Sequence, residues 1–206
     1  MEYSFRNDYS EGAHPNILKA LISNNLSQQE GYGDDEFCKN AAKNIRKLIA
    51  NEKSDIHFVS GGTQANLLVI SSILRPYESV IAPNTAHIEV HETGAIESVG
   101  HKINLINTDN GKIYPHQIQE VLDFHVDEHM VKPKLVFISN STEIGSVYTK
   151  DELKSLSVFC KKNALYLYLD GARLGAALCS PKNDLSIAEL SELLDVFYIG
   201  GTKNGA

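Results

Sequence analysis

Short apolar runs alternate with amphipathic helical patterns along most of the chain, and that alternation leaves few folds open. The runs are Ile56–Val59, Ser79–Ala82, Lys102–Ile106, Leu135–Ser139, Leu165–Leu169 and Val196–Ile199. Apolar residues recur at helical spacing in Pro15–Asn24, where Ile17, Leu18, Leu21 and Ile22 share a face, and again in Asp35–Ala50. A further helix should begin near Thr63, with others around Ile88–Ser98, His116–Met130, Lys150–Asn163 and Ser186–Leu194. Strands joined through helices need crossover connections, so neighbouring strands run parallel. The expected fold class is therefore α/β, a mainly parallel sheet flanked by helices. Ligands of such sheets bind beyond the carboxyl ends of the strands, so residues at strand ends are the ones to search.

Composition narrows the function classes. The 206 residues carry a net charge of -7, and no dense basic block interrupts the acidic balance. That argues against a nucleic-acid or anionic-membrane surface. No apolar run approaches the roughly 18 residues of a membrane span. The polar N-terminus lacks the apolar core of a secretory signal, and Cys38, Cys160 and Cys179 lack metal-ligand spacing. The expectation is a cytoplasmic protein with reduced thiols and no metal site.

Three segments at strand ends carry chemistry. Ser60-Gly61-Gly62-Thr63 lies between a strand-like run and a helix. It is either plain turn chemistry or an anion cradle made of free N–H groups and a helix dipole. It matches neither the P-loop nor the dinucleotide fingerprint. In Asp170-Gly171-Ala172-Arg173 an apolar strand ends in an acid, either the cap of the next helix or a functional carboxylate. Arg173 could answer it as an ion pair or bind a substrate carboxylate through its planar fork. In Gly200-Gly201-Thr202-Lys203 a lysine follows an apolar strand inside a glycine-rich turn.

Together these elements point to pyridoxal phosphate, which needs a phosphate cradle, an acid at its pyridine nitrogen and a lysine amine at its aldehyde. Five motifs in order then resemble a known family. They are Gly31-Tyr32-Gly33-Asp34-Asp35, Gly62-Thr63-Gln64-Ala65-Asn66, Ala86-His87 through His91-Glu92-Thr93-Gly94-Ala95, Asp170-Gly171-Ala172-Arg173 and Gly201-Thr202-Lys203. The chain resembles the N-terminal two-thirds of a threonine aldolase or related β-eliminating lyase, among the pyridoxal-phosphate enzymes of the aspartate aminotransferase fold. The resemblance implies that residues 1–206 are an incomplete cofactor-binding large domain, truncated after the lysine, with the smaller C-terminal domain absent. It implies that Gly62, Thr63 and Thr202 hold the cofactor phosphate region and that His87 stacks on the pyridine ring. Asp170 would pair with the ring nitrogen, Arg173 would contact the cofactor side and the substrate carboxylate, and Lys203 would form the Schiff base. The implied reaction is aldol cleavage of threonine or allo-threonine to glycine and an aldehyde, with His87 as candidate base and His91 on the same helical face. β-Elimination on another amino acid and a non-catalytic relic of the fold are the alternatives.

The sequence departs from the family pattern at two places. Glu143 stands where many threonine aldolases have a histidine, and Asn7 where a carboxylate-binding serine is common. Asn7 is carried as a substrate-binding candidate. The resemblance also implies a homodimer or homotetramer, with Tyr32 of one chain near its partner's site. Finally, it implies an antiparallel strand inserted between Ile56–Val59 and Val196–Ile199. Residues 1–206 alone should then show a gap or foreign material there, with marginal stability and a tendency to aggregate.

Overall fold

The strands of a parallel sheet covered on both faces must be apolar in both directions, and the centre of this fold obeys that rule. The computed structural model describes residues 4, 6–9 and 12–205. Its sheet contains β1 (Glu78–Pro83), β2 (Ile103–Ile106), β3 (Lys132–Ser139), β4 (Tyr166–Asp170) and β5 (Val196–Phe197), in the order β2-β1-β3-β4-β5 with every pairing parallel. The expected α/β architecture is thus present. Because side chains alternate across a strand, Val136, Ile138, Leu167 and Leu169 enter one core. Leu135, Phe137 and Tyr168 enter the core on the other face.

The helices are α1 (Pro15–Asn24), α2 (Glu36–Leu48), α3 (Gly62–Ile73), α4 (His87–Val90), α5 (Ala95–Ser98), α6 (Pro115–Phe124), α7 (Lys150–Lys162), α8 (Leu174–Leu178) and α9 (Ile187–Leu193). Helix α3 supports the core holding Tyr168 through Ile70, with its C-cap Leu74 beside it. Helices α6, α7 and α9 cover the opposite core with Ile118, Leu153, Leu156 and Leu190. Capping boxes at Thr149 with Glu152 and Ser186 with Glu189 satisfy the first N–H groups of α7 and α9.

Several sequence expectations are corrected. The pattern over Ile88–Ser98 is not one helix: Thr93 and Gly94 both adopt left-handed φ and split it into α4 and α5. The pattern over His116–Met130 stops at Phe124, and beyond it Asp127 accepts from the backbone N–H of His129 in a local turn. Helix α8 carries no strong sequence signal. Ile56–Val59 forms no strand, since a strand exists only against a hydrogen-bonded neighbour and none of the described residues provides one. Between this segment and β5 lies a cleft of about 650 Å³, lined by Ile56, Val59, Phe197, Tyr198 and Ile199 among others. The expected separation of the two runs is therefore real, and β5 is a sheet edge.

Candidate active site

The carboxyl ends of the parallel strands deliver most of the polar residues singled out above to one edge of the sheet. Asp170 is the last residue of β4 and is only 3% exposed. Its Oδ1 accepts from the Ala172 backbone N–H at 2.9 Å and from the Tyr198 hydroxyl at 2.5 Å. Its Oδ2 accepts from Asn66 Nδ2 at 3.3 Å. These donors are neutral, and among the described residues no cationic side chain pairs with it. A buried carboxylate held only by neutral donors suits a cationic ligand group. Burial and the Asp170 charge push the Tyr198 phenol up, so its hydroxyl remains a donor.

Arg173 does not answer Asp170, as one sequence reading had allowed. Its Nε and Nη2 bind Asp8 at 2.5 and 3.3 Å, a two-pronged contact. Burial pushes the Asp8 carboxyl up, but the hydrogen bond and charge of Arg173, with the charge of Lys203, outweigh it and hold the group below its usual range. Lys203 sits in a short 3-10 turn (Thr202–Asn204), with Nζ 3.5 Å from Asp8 and 4.9 Å above the Tyr9 ring. Asn7 closes a local turn by accepting from the Tyr9 N–H at 3.0 Å. The N-terminal residues that meet Lys203 are Asp8 and Tyr9.

His87 opens α4 just beyond the end of β1. Its backbone N–H donates to Glu143 Oε1 at 3.1 Å, and Glu143 also accepts from the Ser139 hydroxyl at 2.6 Å. The ring Nδ1 lies 2.8 Å from Glu92 Oε1. That hydrogen bond raises the affinity of His87 for a proton, against partial burial and with help from the charges of Glu92, Asp170 and Glu143. The His91 ring is a tilted neighbour, its centroid 5.4 Å away.

Gly62 begins α3, whose Gly61 cap offers no side chain to its free N–H groups. A Cβ on Gly62 would lie 2.8 Å from the Tyr198 hydroxyl, so the turn approaches the residue that binds Asp170. Thr63 is exposed in the first turn of the same helix. Gly62 and Thr202 line the 650 Å³ cleft, whereas Lys203 lines an adjoining one of about 410 Å³ with Thr202 and Asp8. The donor set, buried acid and glycine turn fit pyridoxal phosphate. Sequence reasoning assigned no role to Asp8, Asn66, Glu92 or Tyr198. Asn66 had one local signal, an amide within an otherwise apolar helical stretch.

Known proteins match the chain over most of its length. The chain is 40% identical to a low specificity L-threonine aldolase of a Pseudomonas species over 209 residues, covering 98% of this chain and 58% of that protein. It thus spans well under two thirds of that relative's length. The Escherichia coli O157:H7 low specificity L-threonine aldolase is 28% identical, with 89% of this chain and 54% of that protein covered. The solved threonine aldolase of Leishmania major superposes with a TM-score of 0.98 at 51% identity, covering all of this chain and 60% of that one. An archaeal alanine:glyoxylate aminotransferase shares the fold alone, with a TM-score of 0.69 at 20% identity over 93% of this chain and 48% of that one. The family model for beta-eliminating lyases runs from residue 5 to residue 206, through every strand and every site residue described above, and the chain belongs to that family.

Proposed function

We propose that the protein uses pyridoxal phosphate to cleave a β-hydroxy-α-amino acid of the threonine type into glycine and an aldehyde, with residues 1–206 forming the cofactor-binding large domain. The observation that carries the reading is the buried Asp170 carboxylate, held by neutral donors beside the Gly62 turn. Gly62, Thr63 and Thr202 would hold the phosphate, Asp170 the pyridine nitrogen, His87 the ring face and Lys203 the aldehyde carbon. When bound, the cofactor supplies an acceptor for the electron pair released as a bond to Cα breaks. Asp170 holds the proton on the pyridine nitrogen. Arg173 spends two N–H groups on Asp8 and keeps the rest of its five for a substrate carboxylate, with Asn7, next to Asp8 in sequence, as a second candidate anchor. His87 takes the β-hydroxyl proton, directly or through water, help worth about 10²–10⁴ in rate. Lys203 can return a proton to Cα.

Incubation with L-threonine, L-allo-threonine and an amino acid bearing a β leaving group tests the reaction. Glycine with an aldehyde is the expected product from the first two. Pyruvate with ammonia from the third alone would mark a β-eliminating enzyme instead. A protein that binds no cofactor and forms neither set would be a non-catalytic relic.

We further propose a two-fold homodimer in the cytoplasm. Tyr32 is fully exposed, and α1 presents Leu18, Leu21 and Ile22 without one buried residue. Three free thiols suit a reducing compartment, and no described helix is long and apolar enough to cross a membrane. Light scattering at micromolar concentration should give twice the chain mass or, for a tetramer, four times. A monomer would sink the assembly.

A further inference from the structure

We propose that Glu92 is the positioning residue of His87: its buried carboxylate, fastened by Asn66, holds the imidazole proton on Nδ1 and leaves Nε2 as the basic nitrogen. This rests on the functional reading above for its catalytic consequence, though not for its geometry.

The Glu92 side chain has no exposed surface, while that of His87 is 29% exposed. A carboxylate so placed is costly unless it is partnered. Its Oε1 accepts from Asn66 Nδ2 at 2.6 Å and faces His87 Nδ1 at 2.8 Å. A ring nitrogen facing a carboxylate must be the donor, so in the neutral ring the lone pair belongs to Nε2. Among the described residues Nε2 has no hydrogen-bond partner. The amide of Asn66 has a determined orientation, because Tyr168 donates to its Oδ1 at 2.7 Å and two carboxylates, Glu92 and Asp170, face its Nδ2. The far side of His87 is tied down too, through its backbone N–H to Glu143.

The local fold is built for this pairing. In an unbroken helix a residue five positions on lies about 140° around the axis, away from the first. Here α4 already ends at Val90, with His91 at φ -132°, and Glu92 leaves the helical path to lie against the His87 ring. The split of Ile88–Ser98, a departure from the sequence pattern, therefore has a chemical result. The charged and titratable groups facing His87 are Glu92, Asp170, Glu143 and the neighbouring His91 ring. Among them the Glu92 hydrogen bond has the largest influence on His87.

The test is NMR of the protein labelled with ¹⁵N-histidine, with His87→Asn assigning the signals, beside a pH profile of kcat/KM. In the parent, neutral His87 should carry its proton on Nδ1 and titrate above the ordinary histidine value. Glu92→Gln keeps an acceptor oxygen and removes the charge, so the His87 midpoint and the acid limb of kcat/KM should fall together. Glu92→Leu removes the acceptor as well, and should give mixed tautomers with a loss in kcat of about 10²-fold. The double variant His87→Asn/Glu92→Gln should lose no more than His87→Asn alone. If Glu92→Leu does not fold, the glutamine variant and the double variant still decide. An unmoved midpoint in Glu92→Gln, or an additive loss in the double variant, overturns the positioning role. A protein with the Glu92-dependent tautomer that makes no glycine from threonine overturns the functional reading and leaves the positioning intact.

Discussion

Lys203→Ala should abolish the covalent attachment of pyridoxal phosphate that borohydride fixes, and lower turnover by about 10³–10⁶-fold. Lys203 is the lysine proposed for this role because of where its turn lies. It lies in the 3-10 turn beyond β5, its side chain is only 10% exposed, and its amine meets Asp8, which also clasps Arg173. The amine thus stands beside the guanidinium proposed to receive the substrate carboxylate. Asp170→Asn should leave the attachment in place and slow turnover, because an amide cannot hold the pyridine proton as a carboxylate does. Peptide mapping after reduction separates the roles. A label on any other lysine in the parent protein, or an undiminished label in Lys203→Ala, would remove Lys203 from the mechanism.

The legibility of this fold differed from segment to segment for physical reasons. The centres of β1, β3 and β4 are buried on both faces, so Val80–Ala82, Leu135–Ile138 and Leu167–Leu169 are apolar runs that can be read directly. Ile56–Val59 has the same composition, yet strand formation depends on a neighbour, which no local pattern contains. The break at Thr93 was half visible: Gly94 suggests a left-handed residue, but Thr93, with a side chain that disfavours it, does not. Within the candidate site, His87, Asp170 and Lys203 stand at strand ends or in a matched motif and are legible in the sequence. The contact from Asp8 to Arg173 spans 165 positions, and no spacing rule reaches that far. Asn66, Glu92 and Tyr198 act on residues that could be named, but their partners are set by tertiary packing alone.

Gly171→Ala should be among the most destabilising single substitutions in the chain. Gly171 follows Asp170, and a Cβ there would lie 1.8 Å from the Tyr198 carbonyl oxygen and 3.2 Å from Leu174 Cβ. The first obstacle is backbone, which cannot rotate aside as a long side chain can. Gly200 shows the same intimacy from the other strand, where a Cβ would meet the Ala172 backbone carbonyl oxygen at 2.7 Å. The two loops are joined by the Gly200 N–H donating to the Gly171 carbonyl at 2.9 Å. Relieving the clash means parting them, which breaks that bond and draws the Tyr198 hydroxyl from Asp170. The cost should be at least about 3 kcal/mol, in the upper tail for point substitutions. For a domain of this size that lowers the thermal midpoint by about 6–12 °C. Gly31→Ala is the control, since a Cβ there meets nothing within 4 Å, and it should shift stability by less than about 0.5 kcal/mol. Thermal unfolding of the two variants beside the parent decides the matter. Equal midpoints for all three would mean that the β4 and β5 loops are not held backbone against backbone, and the placement of Asp170 beside Tyr198 would fall with that contact.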